Sequence, residues 1–213
     1  MIGKEMIASF KEKKPFYRKN VLDPKKVFSW KELASLLNLR PFVNVERFHI
    51  ISNSYFSWSS STWCTDNNSW PTKIIRDQIN KSVCYLSDCS RVNKTINDIS
   101  KQIEKGVNWP TDAHIYFNLA PTENSNLQGF KKHKDQSHNL IVCIDGEYTI
   151  KIFSEKQEDD TPVISETLKK GDAVFVPAGI YHQVITDKKR LSISFPMYDG
   201  PAPSFEDRTW IEL

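Results

Sequence analysis

Between residues 113 and 197 the chain consists of short β-forming runs separated by turn residues, and this pattern most limits its possible folds. The runs are His114–Ala120, Leu140–Asp145, Glu147–Phe153, Pro162–Leu168, Asp172–Val176, His182–Thr186 and Leu191–Pro196, with Gly146, Gly171 and Gly179 at the breaks. Closely spaced strands with tight turns point to an antiparallel barrel or a double-sheet jelly roll. The stretch before it reads differently. Ser29-Trp30-Lys31-Glu32 is a capping-box pattern followed by Leu33, Leu36 and Leu37, which predicts a helix over about 30–38. Trp70-Pro71 opens a second helix through Ile74, Ile75 and Ile79. A third is expected over 91–105, with Val92, Ile96, Ile99 and Ile103 on one face and Gly106 as its stop. The expectation is a mainly β protein, one domain over 1–213. Within it, 1–112 forms a helical and strand N-terminal part, 113–197 the barrel core and 198–213 a tail.

Composition narrows the class. A length of 213 residues suits one domain, and 39% hydrophobic with 26% charged residues describes a soluble globular chain and excludes wholesale disorder. No apolar run is long enough to span a bilayer, so a membrane partner is not expected. Met1–Phe10 lacks the apolar core of a signal peptide, and Cys64, Cys84, Cys89 and Cys143 form no C-x-x-C pair. The expected location is therefore the reducing cytoplasm, where the sequons at Asn67, Asn80 and Asn93 carry no weight. Residues 1–40 hold ten basic and four acidic side chains, a local charge of +6, against 19 basic and 22 acidic in the rest. A basic arm can steer toward a polyanion. With no zinc finger, RNA-recognition signature or continuous basic helix, a solvated lysine-rich surface is the preferred reading, and nucleic acid is not expected as a partner. Oligomeric state is left open.

Two segments carry chemistry: His133-Lys-Asp135 with Asn139 and Gly146 downstream, and Gly171-x5-Pro177-x-Gly179-x-x-His182. If 133–135 is extended, His133 and Asp135 point to one face and Lys134 to the other; continued alternation sends Asn139 inward and His138 outward. The Pro177-x-Gly179 turn then delivers His182. Two imidazoles and one carboxylate on one face of a metal leave three positions open, an arrangement suited to iron(II), a co-substrate and oxygen. The carboxylate also offsets part of the ion's charge inside a barrel. A lone H-x-D is usually a surface strand; here a demanding second motif follows it at barrel spacing, and two of only five histidines occupy these positions.

These residues resemble the cupin superfamily, and the H-x-D form resembles its JmjC-type hydroxylases. Ile115-Tyr-Phe-Asn-Leu-Ala-Pro121, with Gly129-Phe130 before His133, is similar to that family's strand and loop leading to the metal. Lys14-Pro15-Phe16-Tyr17-Arg18 and Phe28–Leu33 are similar to its opening strand and helix. The resemblance implies a double-stranded β-helix (cupin/jelly-roll) core with a few N-terminal helices. It further implies Fe(II) held by His133, Asp135 and His182, and O2 as oxidant. The 2-oxoglutarate co-substrate is decarboxylated to succinate while a substrate C–H bond is hydroxylated. Such families carry a Lys or Arg for the far carboxylate of 2-oxoglutarate about fifteen residues after the first histidine, where this chain has Tyr148. Tyr148, Asn139, Arg190 and Asn118 are the expected co-substrate contacts, with Ser192 or Ser194 adding hydrogen bonds. Lys151 has the wrong parity.

Other residues divide between packing and function. Phe56, Trp58, Trp63 and Trp70 either pack a long loop onto the core, the preferred reading, or wall a substrate site. Lys131 and Lys132 either blunt a strand edge or meet an acidic substrate. His49 and His114 read as packing residues, and Cys143 as barrel interior. The expected substrate is a small molecule, an amino acid, or a peptide or protein side chain. Two alternatives remain: a metal-dependent cupin enzyme without 2-oxoglutarate (a dioxygenase or isomerase), and a non-catalytic cupin binding module.

Overall fold

A computed structural model of the chain describes residues 2–44, 46–52, 55–57, 69–119 and 130–201. The N-terminal half contributes helix α1 (Lys4–Lys11), strand β1 (Phe16–Arg18), α2 (Trp30–Leu37), β2 (Phe48–Ser52), β3 (Tyr55–Ser57), α3 (Thr72–Ile79), β4 (Val83–Leu86) and α4 (Lys94–Val107). Strands β5 (His114–Asn118), β6 (Phe130–His133), β7 (His138–Gly146), β8 (Tyr148–Ile152), β9 (Ile164–Leu168), β10 (Ala173–Val176), β11 (His182–Ile185) and β12 (Arg190–Met197) follow. They pair antiparallel into a major sheet ordered β1-β10-β7-β12-β5-β4-β2-β3 and a minor sheet ordered β6-β11-β8-β9. This is the expected double-stranded β-helix.

Strand alternation divides the interior into two cores. Leu191, Ile193 and Phe195 of β12 and Leu140, Val142 and Ile144 of β7 face the helices, joining Phe10, Leu33, Ile96 and Ile103 in one cluster. The opposite faces of the same strands look into the barrel, where Ile141 and Cys143 meet Tyr148, Ile150, Ile152 and Val184 from the minor sheet. Strands β7 and β12 are thus buried on both faces.

The helices follow their caps. The Ser29 hydroxyl accepts from the Glu32 amide and contacts its carboxylate, starting α2 as the capping-box pattern predicts. The Asn93 side chain accepts from the Ile96 amide to start α4. That helix does not stop at Gly106. It continues to Val107 and ends at Asn108 in the left-handed conformation, φ 62°. Gly106 is a packing residue instead, since a Cβ there would lie 2.5 Å from Ile7 Cδ1 of α1. Helix α1 and strands β2–β4 were not foreseen. They extend the major sheet beyond β5, while β1 adds to its other edge on β10. Gly146 has φ +82°, and a Cβ on it would collide with the Lys189 carbonyl at 1.8 Å. Glycine there lets the head of β12 come close to the β7–β8 turn, which places Arg190 opposite Gly146.

Candidate active site

The barrel mouth brings together the three residues singled out by the sequence. His133 closes β6 and His182 opens β11, and the two are direct partners across that antiparallel pair. Asp135 lies past the end of β6, so the strand does not run through 133–135 as expected. Its main chain is held by the Gly179 amide, which donates to the Asp135 carbonyl at 2.9 Å. The Pro177–Gly179 turn therefore positions the carboxylate as well as His182. One ligand atom from each of the three residues lies within 4.8 Å of the others.

The imidazole orientations are set by their second nitrogens. His133 Nδ1 is 2.7 Å from the Lys131 carbonyl, and His182 Nδ1 is 3.2 Å from that of Ile180. A carbonyl only accepts, so both Nδ1 atoms carry the proton and both Nε2 atoms present lone pairs. Those Nε2 atoms face the Asp135 carboxylate at 3.7 and 3.6 Å. Burial pulls the His182 pKa down to about 4, helped by His133 and opposed by Asp135, so this imidazole is neutral at pH 7. Backbone carbonyls that orient metal-binding histidines are a common supporting shell. Two imidazoles and a carboxylate, with the His133 and Asp135 side chains partly open to solvent, fit iron(II) with vacant positions.

A polar strip leads inward from Asp135. Asn139 Nδ2 donates to Asp135 Oδ2 at 2.8 Å and lies 3.2 Å from the Ser137 carbonyl. Its Oδ1 accepts from the Ser194 hydroxyl at 3.2 Å. Both ends of the amide are thereby engaged, and Asn139 orients the Asp135 carboxylate. Ser194, Ser192 and Arg190 share one face of β12. Arg190 is 2% exposed. Its Nε donates to the Ser192 hydroxyl at 3.0 Å, and its guanidinium carbon lies 4.3 Å from the Tyr148 ring and 5.7 Å from the Tyr116 ring. Among the described residues, Arg190 Nη1, the Tyr148 hydroxyl and Asn118 Oδ1 are buried without a hydrogen-bond partner, although Asn118 Nδ2 donates to the Lys188 carbonyl. Lys151 points away from the barrel interior, as its parity required.

Sequence reasoning missed the wall beside the metal residues. Tyr85 stacks on His49 (4.4 Å), Tyr116 (4.9 Å) and His114 (5.9 Å), and Phe130 bridges Tyr116 to His133. These are the barrel-facing residues of β2, β4 and β5, and without those strands assigned they read only as scattered aromatics. Burial lowers the pKa of both His49 and His114. Cys143 is buried, its thiol pushed up to about 12, which suits packing and not catalysis. Trp70 belongs to the core: its indole donates to the Phe48 carbonyl and its ring meets Phe48 edge-on. Trp58, Trp63, Cys64, Asn67, Pro121 and Gly129 lie outside the described residues, as does any side-chain role for Phe56. Lys132 is tied to the Gln157 and Asp159 carbonyls and to Asp160, on the edge strand of the minor sheet. His138 faces the helices, as its parity implied, buried against Trp109 and Phe175.

A barrel with two histidines and a carboxylate converging at its mouth defines a cupin-type metal-site protein. The chain belongs to the JmjC domain family, whose description matches residues 93–202. It is similar to the "Bifunctional lysine-specific demethylase and histidyl-hydroxylase NO66" of Drosophila willistoni, 29% identical over 95 residues, covering 36% of this chain and 12% of that one. The protein of the same name from Drosophila simulans is 23% identical over 125 residues, covering 50% and 14%. The chain thus spans only a small part of the curated relatives it matches. Among solved structures, the Escherichia coli ribosomal oxygenase YcfD in complex with cobalt and 2-oxoglutarate superposes with a TM-score of 0.58 at 17% identity, covering 91% of this chain and 50% of that one. The non-heme alpha ketoglutarate dependent epimerase SnoN from nogalamycin biosynthesis gives 0.52 at 13%, covering 94% and 85%. At these identities the likeness establishes the fold.

Proposed function

We propose that the protein is an Fe(II)- and 2-oxoglutarate-dependent oxygenase that hydroxylates a C–H bond on a protein or peptide side chain. The observation that carries this reading is the convergence of the His133 and His182 Nε2 lone pairs on the Asp135 carboxylate. His133, Asp135 and His182 are the residues that would hold the metal. Iron(II), when bound there, supplies the redox chemistry that couples decarboxylation of 2-oxoglutarate to substrate hydroxylation by O2. The chain's own part is placement. Backbone carbonyls fix both imidazoles, Asn139 fixes the carboxylate, and the apolar barrel lining of Ile141, Ile150, Ile152 and Val184 excludes water. The names of the relatives favour a protein side chain: a histidyl-hydroxylase among curated proteins and a ribosomal oxygenase among solved structures. The stacked wall of Tyr85, Tyr116 and His49 beside the ligands gives such a side chain a flat surface to lie on.

A metal-dependent cupin without 2-oxoglutarate would explain Tyr148 at the usual cation position, but it leaves the buried Arg190 without a purpose. A non-catalytic module leaves the lone-pair geometry without one. A cytoplasmic location is proposed with the activity; Cys84, Cys89 and Cys143 are free and buried, as a reducing compartment would keep them. Anaerobic addition of 2-oxoglutarate to the iron(II) protein should produce the visible charge-transfer band of a chelated 2-oxo acid. Tight metal binding with no band would reject the oxoglutarate reading. Failure to bind any divalent metal would leave only a binding module.

A further inference from the structure

His138 opens β7 on the face turned away from the barrel and is 1% exposed. Its ring stacks on Trp109, with centroids 4.9 Å apart and 17° between the planes, and on Phe175 at 6.2 Å. The Ala178 amide donates to its Nδ1 at 2.9 Å, and its Nε2 stands 3.3 Å from Asp199 Oδ1. An amide N–H only donates, so Nδ1 holds the lone pair and Nε2 the proton, the reverse of His133 and His182. Burial lowers the His138 pKa against the pull of Asp199, so this acceptor stays available at pH 7. Asp199 is held in turn by Lys13 at 2.9 Å, an ion pair at the surface.

The bonded amide belongs to the turn that serves both metal motifs. Pro177 has no N–H to give. The next two residues have one each: Ala178 donates to His138, and Gly179 donates to the Asp135 carbonyl at 2.9 Å. Ile180, whose amide closes the turn on the Pro177 carbonyl at 3.3 Å, supplies the carbonyl that orients His182. The turn is thus strapped at two points, Asp135 and His138, to the chain that enters β7. Without the second strap Ala178 would carry a half-buried N–H lacking an acceptor, which is costly, and the turn would shift to satisfy it. Such a shift moves the Asp135 main chain and the Ile180 carbonyl together.

We infer that His138 is a positioning residue for the metal centre: by accepting from Ala178 it sets the Pro177–Gly179 turn, and through the turn both Asp135 and His182. It lies outside the ligand set and acts from behind the sheet. The role rests on the metal assignment of His133, Asp135 and His182 and adds the side chain that locks their two motifs together.

The test separates the two ring nitrogens. In asparagine the side-chain carbonyl takes the place of Nδ1; in glutamine the terminal group reaches the place of Nε2. Manganese(II) affinity, measured by calorimetry, should fall about tenfold or more in His138→Gln and His138→Leu, the scale of losing a group that supports a ligand. His138→Asn should stay within about threefold of the native protein, because its amide oxygen accepts as Nδ1 does. Amide hydrogen exchange on the metal-free proteins gives a readout independent of the ion. Ala178 should exchange about fivefold faster in His138→Gln and His138→Leu, the effect of one neutral hydrogen bond, and near the native rate in His138→Asn. A packing role would reverse the order, making apolar leucine the mildest substitute for a buried ring. Equal manganese affinities in the Asn and Leu variants, or native exchange at Ala178 in the Leu variant, overturns the assignment. Where His138→Leu does not fold, the comparison of Asn with Gln decides by the same criteria. A native protein that holds no manganese overturns the metal reading, and the exchange rates then decide for the turn alone.

Discussion

The two ends of the polar strip in the barrel differ in how far they satisfy themselves. At the mouth each imidazole proton has a carbonyl, the Asp135 carboxylate has Asn139, and Asn139 has Ser194. At the inner end the Arg190 Nη1, the Tyr148 hydroxyl and Asn118 Oδ1 are buried with no hydrogen-bond partner among the described residues. Buried polar groups are normally paired, so the contrast carries information. The mouth is pre-organised for something that brings only a charge and empty orbitals. Two of these groups, Arg190 Nη1 and the Tyr148 hydroxyl, can donate to an acceptor such as a carboxylate, whereas Asn118 Oδ1 is itself an acceptor. The difference distinguishes the metal-ligand end of the strip from its inner end.

The comparison breaks most decisively at Asp135. Asp135→Ala should lower metal affinity by more than the roughly 10–100-fold that loss of a supporting group costs, and abolish succinate formation from 2-oxoglutarate. Its side chain is partly exposed and outside the strands, so the circular dichroism spectrum should stay native. Full activity in that variant would remove the metal assignment. The opposite sign is expected at the inner end. Arg190→Met replaces an unpaired buried cation with an apolar side chain, so the ligand-free protein should unfold at equal or higher denaturant, with a gain of up to about 1–4 kcal/mol. A marked loss of stability there would mean that the arginine has a structural partner, and the contrast between the ends would fail.

Asn139→Ala sharpens the same contrast at smaller scale. It frees the carboxylate without removing a ligand and should weaken metal binding by about 10-fold. Binding of 2-oxoglutarate should follow only through the metal, so its preference over 2-oxovalerate stays native. A change in that preference would give Asn139 the direct contact expected from sequence.

Much of this was legible in the chain, for reasons that differ by residue. His133, Asp135 and His182 could be read because the H-x-D pair and the Pro177-x-Gly179 turn are local patterns, and the turn itself ties the two motifs together through Asp135. Seven of the eight strands from β5 to β12, all but β6, could be read from short windows. By contrast β2, β3 and β4 are recognisable only once β5 offers them a partner, and with them came the Tyr85 wall. Gly106 resembled a helix stop because glycine serves both as a cap and as a point of close approach; only the position of Ile7 decides between them. The residue at 148 could be seen to depart from the resemblance. That the Arg190 guanidinium lies against the Tyr148 ring depends on register across the barrel, since β8 and β12 never pair.

The smallest expected difference between the two ends is in their response to pH. Burial holds the folded pKa of His182 at about 4, against 6.5 for the free side chain. Between those values the unfolded chain binds a proton that the fold does not, so stability rises with pH through this window and is lost as pH falls towards 4. His49, His114 and His138 are lowered in the same direction by burial, so they add to the same slope. Metal binding to the folded protein needs the neutral imidazole and should weaken only as pH falls towards that folded value. The inner end has no such dependence. Arg190 stays charged, and burial raises the Tyr148 pKa, keeping its hydroxyl protonated. The ratio of 2-oxoglutarate affinity to that of 2-oxovalerate, the analogue ending in methyl, measured on manganese-saturated protein at pH 6 and pH 8, should therefore remain constant. A ratio that differs between the two would place a titrating group, and not a guanidinium, at the far carboxylate.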